Sequence, residues 1–238
     1  MKSYIDSLLE LIYPEKNTCF ICEDYDEKIS DKYICQDCER NLKKIQPPVC
    51  RKCSKPIDYN SSIDLCPECC DTKRYFIMSR SPYSYEGLIK KAIYSYKYYN
   101  KTYFYKLFGS LLIDYMKDIN YTSFDCIVSV PLHSSKLRER GYNQSELIAK
   151  YLASRLSIPY VDAIKRTKKT LRQSGQSKEQ RRKNLRGAFE IKHPAEKVIN
   201  SSVLLVDDIY TTGSTADECS RALVNYGAAG VYVITIAR

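Results

Sequence analysis

Two hydrophobic periods alternate along the second half of the chain. Phe124 to Val130 is mostly apolar and predicts a buried strand. From Asn143 to Leu156 the period lengthens, and Leu147, Ile148, Tyr151 and Leu152 share one face of a predicted helix. Val203 to Val206 is all aliphatic and ends in two acids, Asp207 and Asp208, as a central parallel strand does. Thr215 to Tyr226 reads as a helix stopped by Gly227, and Val231 to Ile236 as another strand. Strands alternating with helices predict a doubly wound α/β domain, which binds ligands beyond the carboxyl ends of its strands. Ahead of it, from Arg74 to Tyr105, tyrosines (Tyr83, Tyr85, Tyr94, Tyr96, Tyr98, Tyr99, Tyr103, Tyr105) interleave with lysines. That mixture suits a surface on which nucleic-acid bases stack. Leu88, Ala92 and Ile93 instead continue a helical apolar face, which favours a helix packed into the core.

Residues 1–75 show neither period and few large aliphatics, so hydrophobic burial alone would not fold them. Their cysteines change the picture. Four Cys-x-x-Cys pairs occur: Cys19/Cys22, Cys35/Cys38, Cys50/Cys53 and Cys66/Cys69. Adding 31 to the first four positions gives the second four, so one small unit occurs twice. A two-residue spacer lets one tight turn aim two thiolates at an ion, and two such turns complete a tetrahedron of sulfurs around zinc. The expectation is two structural zinc ions whose binding supplies folding free energy. Sequential pairing (19/22/35/38 and 50/53/66/69) and interleaved pairing (19/22/50/53 and 35/38/66/69) are both geometrically open, and the repeat favours the first. Cys126 and Cys219 sit in apolar patterns and read as core.

Composition narrows the class. Of 238 residues, 44% are hydrophobic, enough for a core, and no stretch approaches the length of a membrane span. The run Leu8, Leu9, Leu11, Ile12 is broken by Glu10 and has no small-residue cleavage site after it, so a cytoplasmic location is expected. The net charge of +10 is uneven. Residues 1–79 hold 12 Lys/Arg against 14 Asp/Glu, and residues 80–238 hold 26 against 14. The second part therefore suits a polyanionic partner. Its extreme is Lys165 to Arg186, with ten Lys/Arg and one acid, Glu179; the polar run Gln173 to Ser177 predicts a loop there.

The segment Val203-Leu-Leu-Val-Asp-Asp-Ile-Tyr-Thr-Thr-Gly-Ser-Thr215 carries the most chemistry. A strand delivers two carboxylates, and a turn through Thr211, Thr212, Gly213, Ser214 and Thr215 then opens a helix. Exposed N–H groups and hydroxyls on such a turn form an anion nest. Carboxylates beside a phosphate cradle suit a phosphorylated sugar: acids for the ribose hydroxyls, nest for the phosphate. No Gly-x-x-x-x-Gly-Lys-Ser/Thr loop is present.

This segment resembles the phosphoribosyl-pyrophosphate motif of type I phosphoribosyltransferases. Together with Val130-Pro-Leu-His133, Arg138-Glu-Arg-Gly-Tyr-Asn-Gln144, Gln173-x-Gly-Gln176, Arg182-Lys-Asn-Leu-Arg-Gly-Ala-Phe189 and the Cys-rich front, it resembles the ComF family of competence-associated proteins. The resemblance implies a type I phosphoribosyltransferase-like doubly wound parallel sheet over 76–238, preceded by a small double zinc-ribbon domain over 1–75. It implies that Asp207 and Asp208 hold the ribose hydroxyls and that Thr211 to Thr215 hold the 5′-phosphate. Pro131, Leu132 and His133 would form the pyrophosphate loop, faced by Arg138 and Arg140. Magnesium would accompany the phosphoribosyl pyrophosphate. Asn143 and Gln144 match the family without a role derivable from sequence. His133 reads either as a proton donor or, preferably, as a loop residue holding backbone. Two functional expectations follow: a competence-associated DNA-uptake protein that binds this ligand and single-stranded DNA alongside uptake machinery, and an active phosphoribosyltransferase in nucleotide or base salvage.

Overall fold

The computed structural model describes residues 17–29, 32–59, 63–121, 123–168 and 184–238. The repeat of the cysteines is also a repeat of backbone. Cys19 N–H donates to Asp24 O and Cys50 N–H to Lys55 O. Glu23 and Ser54, each following the second cysteine of a knuckle, both take a left-handed φ, at 67° and 58°. Cys35 and Cys66 cap the short helices α1 (Gln36–Arg40) and α2 (Pro67–Cys70) with nearly the same dihedrals.

The remaining elements are β1 (Met78–Arg80), α3 (Gly87–Tyr98), α4 (Phe104–Asp118), β2 (Cys126–Ser129), α5 (Ser134–Arg140), α6 (Gln144–Leu156), β3 (Ile164–Arg166), β4 (Phe189–Ile191), β5 (Ser202–Ile209), α7 (Ser214–Tyr226) and β6 (Gly230–Ala237). Among the described residues β1, β6, β5 and β2 form one sheet in that spatial order, every pairing parallel. β3 and β4 pair antiparallel beside it.

The two-residue period of the strands splits the core. Leu204, Val206, Ile234 and Ile236 face one layer, where Ile93, Tyr96, Leu107, Phe108, Ile148 and Leu152 of α3, α4 and α6 cover them. Val203, Leu205, Val231 and Val233 face the other, under Cys219 and Leu223 of α7. Both faces are covered, so strands with continuous apolar runs are the stable solution. Cys126 and Cys219 are fully buried in the second layer, as their apolar settings predict. The ribbons join these layers. Phe20 of the first packs on Tyr103 and Phe104, with ring centroids 4.8 and 6.1 Å away. Cys50, Cys53, Cys66 and Cys69 of the second share the layer of Phe76 and Tyr210.

Helix α3 resolves the tyrosine-rich stretch into two faces. Ile89, Ala92, Ile93 and Tyr96 are buried, so the helix packs into the core, while Tyr94, Tyr98 and Tyr99 stand exposed and cluster with one another. Strand β5 runs further than its aliphatic stretch, carrying Asp207 and Asp208 within its last turn of pairing with β6. Most of the basic segment, residues 169–183, lies outside the described residues, as do residues 1–16. No helix among the described residues is long and apolar enough to cross a membrane.

Candidate functional site

The eight paired cysteines gather into two clusters, 19/22/35/38 and 50/53/66/69, with each cluster's sulfurs within 4.8 Å of one another. This is the sequential pairing. Cys22 and Cys35 sulfurs lie 3.8 Å apart and Cys53 and Cys66 sulfurs 3.7 Å apart. A tetrahedral zinc with bonds of about 2.3 Å separates its sulfurs by about 3.8 Å, so both clusters fit the ion. Burial raises the thiols of Cys66 and Cys69. It also opposes ionisation of Cys50, yet backbone N–H groups of the knuckle outweigh it and bring that thiol down to about 7. A low-lying thiolate beside two raised thiols is a suitable first ligand for a divalent metal.

A cavity of about 1120 Å³ opens over the carboxyl ends of β2 and β5. Asp207, Asp208, Thr211 and Thr215 line one wall, and Pro131, Leu132, Arg138 and Arg140 another. His133, Thr212, Gly213 and Ser214 stand behind these walls. His133 caps α5, its Nδ1 accepting from Ser135 N–H at 3.2 Å, the backbone-holding arrangement. Thr212 and Ser214 hydroxyls bond each other at 2.9 Å and brace the turn. Gly213 has φ 72°, and a Cβ there would collide with the Tyr210 hydroxyl, so both conformation and space demand glycine.

Burial, and next the neighbouring Asp208 carboxylate, raise Asp207 to about 7. Asp208 N–H at 2.9 Å and Ser145 Oγ at 3.0 Å both donate to Asp207 Oδ1 and oppose the shift. Lys97 reaches across from α3 to Asp208, Nζ to Oδ2 at 2.7 Å, with both side chains largely covered. Cations line the same cavity as the acids: Lys97, Lys136, Arg138, Arg140 and Arg166. Lys136 is lowered by burial and then by Arg166, Arg140 and Lys97. Mutually repelling cations around one opening are a site for an anion.

Sequence reasoning left Asn143 and Gln144 without contacts, and the structure supplies them. Asn143 caps α6 through Ser145 N–H and donates from Nδ2 to Val130 O at 3.0 Å, tying α6 to the end of β2. Gln144 Oε1 accepts from Arg140 Nη1 at 2.5 Å, and the Arg140 guanidinium lies 5.3 Å from the centre of the Tyr98 ring. Gln144 therefore aims Arg140. Lys136 and Ser145 escaped sequence reasoning, while Arg166 was read only as part of the basic segment and Lys97 only as one of the lysines among the tyrosines.

The Double zinc ribbon domain family matches residues 8–70, and the Phosphoribosyl transferase domain family matches residues 143–238. Competence protein F of Haemophilus influenzae is 29% identical over 215 residues, covering 88% of this chain and 92% of that one. Competence protein ComFC of Bacillus subtilis is 27% identical over 218 residues, 87% and 85% of the two chains. The DNA utilization protein YhgH of Escherichia coli is 38% identical over 115 residues, about half of each chain at 48% and 49%. The chain is thus similar over most of its length to competence proteins F and ComFC, and carries a match to a double zinc ribbon followed by a match to a phosphoribosyl transferase domain.

Proposed function

We propose that this chain is a DNA-uptake protein whose α/β domain binds phosphoribosyl pyrophosphate with magnesium. The observation that carries this is one cavity lined both by the acid pair Asp207 and Asp208 and by Lys136, Arg138, Arg140 and Arg166. Asp207 and Asp208, at the end of β5, would accept from the ribose hydroxyls. Thr211 to Thr215, at the start of the 13-residue helix α7, offer N–H groups and hydroxyls to a 5′-phosphate. Arg138 and Arg140, which line the same cavity, would then face the pyrophosphate, and a magnesium ion would offset part of its charge. A carboxylate pair of this kind suits the ion through water, since magnesium keeps much of its hydration.

Among the described residues the cavity shows no side chain placed as a nucleophile. Transfer of the phosphoribosyl group expels magnesium pyrophosphate through a cationic sugar, so positioning and charge carry the chemistry. Turnover with a base as acceptor is the second reading, and the exposed Tyr94 and Tyr98 on the cavity wall favour it, since a planar acceptor stacks on such rings. The names of the relatives support the uptake role. The protein acts in the cytoplasm, where transforming single strands meet ligand and uptake partners. The two units divide near residue 75.

A thermal-shift titration tests the ligand. Phosphoribosyl pyrophosphate at 100 times its Kd stabilises the domain by about 2.7 kcal/mol. The double variant Asp207→Asn, Asp208→Asn loses most of that shift. Absence of a magnesium-dependent shift in the wild type at millimolar ligand would reject the reading.

A further inference from the structure

Two arginines link the second ribbon to the anion loop, one in contact with its four-cysteine cluster and one close after it in sequence. Arg238 Nη1 donates to Cys53 O and lies 3.1 Å from Cys53 Sγ. The same guanidinium lies 5.1 Å from the centre of the Tyr210 ring. Tyr210 is 4% exposed, directly precedes Thr211, and its hydroxyl occupies the space a side chain on Gly213 would need. On the other flank, Arg74 leaves the second ribbon four residues after Cys70. Its Nη2 donates to Thr212 O at 3.0 Å, and its Nη1 stands 3.7 Å from Asp217 Oδ2. Asp217 Oδ1 also accepts from Tyr75 N–H at 2.7 Å. The Arg74 and Asp217 side chains are 6% and 11% exposed. The loop is therefore gripped at Tyr210, Thr212 and Asp217 from the side of the ribbon. The first cluster makes its contacts elsewhere, through Phe20 on Tyr103 and Phe104.

Charge gives the grip a dependence on metal. Four thiolates around a zinc ion leave two negative charges, and all four cysteines of the second cluster are buried. Arg238 is the cation in contact with them, and its N–H to Cys53 Sγ is strongest when that sulfur is a metal-bound thiolate. Without metal the knuckle that holds Cys53 O and Cys53 Sγ against the Arg238 guanidinium loses its cross-link.

We propose that Arg74 and Arg238 are positioning residues that make the shape of the Tyr210–Asp217 loop depend on zinc at the second cluster. Zinc there and an anion in the loop then strengthen each other's binding, while zinc at the first cluster is uncoupled. This rests on the loop being the phosphate cradle of the function proposed above.

Zinc release from the full chain into excess chelating dye reads the coupling. Cys50→Ser assigns the phase that belongs to the second cluster. Saturating phosphoribosyl pyrophosphate with magnesium slows that phase about 5-fold or more and changes the first cluster's phase by less than about 2-fold. Arg74→Gln and Arg238→Gln keep both metal sites, still show a ligand thermal shift, and lose the selective slowing; Arg238→Lys recovers part of it. A ligand that binds and leaves the second phase unchanged, or slows both phases equally, overturns the proposal. If no ligand binds, the function fails and hydrogen exchange decides the coupling. The amides of Tyr210 to Asp217 then exchange at least about 10-fold faster in Cys50→Ser, or in Arg238→Gln should the former not fold, than in Cys19→Ser. Equal exchange in the compared variants rejects the coupling.

Discussion

Asp207 is the residue on which the site turns, and it sits there at a cost. Buried beside a second carboxylate, it is raised to about 7, well above its unfolded range near 4. The folded chain therefore binds more protons than the unfolded chain between those values. Asp207's contribution to stability is fully present below about 4 and is lost as pH rises through about 7. Asp207→Asn keeps the shape that Ser145 and the Asp208 N–H define and removes the charge. Urea unfolding of the ligand-free protein at pH 8 is expected to find the variant more stable by roughly 1–3 kcal/mol, with the gain shrinking at pH 5. No gain at pH 8 would mean that the carboxylate is not held out of water. Ligand affinity runs the opposite way. Magnesium and ribose hydroxyls favour the ionised pair, so affinity rises between pH 6 and 8 with uptake of ligand releasing a proton, measurable by calorimetry in two buffers. The acid pair was legible from sequence because an aliphatic run ends in it. Its cation, Lys97, was not, because the partner lies more than a hundred residues earlier and only the packing of α3 brings them together.

At the scale of elements, legibility followed period. The helix expected from Asn143 to Leu156 is α6, one residue shorter at its capped start, and the strands expected at 203–206 and 231–236 are the cores of β5 and β6. Helix α4 went unread although Phe104, Leu107, Phe108, Leu111 and Leu112 keep helical spacing, because its tyrosine-rich approach draws attention to composition. β1 and the β3–β4 pair have three residues per strand, too few for any period to show. The doubled cysteine unit was legible down to its partners, since four ligands at fixed spacing leave few geometries. Elemental analysis of protein purified without chelator is expected to give two zinc ions per chain, and one or fewer would break the argument from the repeat. The turn joining β5 to α7 offers a second check. Gly213→Ala meets both an adverse φ and the Tyr210 hydroxyl, so it should cost about 1–3 kcal/mol in urea unfolding. Gly141, with φ 81° and open space around it, should cost less on the same substitution.

For the whole molecule the informative quantity is where the charge lies. Residues 80–238 carry a net +12 against −2 for residues 1–79, and the cavity's own cations account for only part of that excess. Of the described residues in the basic segment, Arg166 lines the cavity and Lys168 donates to Arg186 O. If Lys165, Arg166, Lys168, Lys169, Arg172, Lys178, Arg181, Arg182, Lys183 and Arg186 present four or five cations to phosphates, single-strand binding should fall with salt at a slope near roughly −3 in log K against log salt. Replacing Lys168, Lys169, Arg181 and Arg182 by Gln should flatten that slope by about two or more. Base sequence should matter little, because stacking on exposed rings such as Tyr94, Tyr98 and Tyr99 tolerates every base. Competition is the sharper measurement. A segment that closes over pyrophosphate cannot fully engage a strand, so phosphoribosyl pyrophosphate should weaken strand binding, and the strand should weaken ligand binding by the same factor. Strand binding absent at low salt, or untouched by the four substitutions, would leave the basic segment as a cover for the cavity alone.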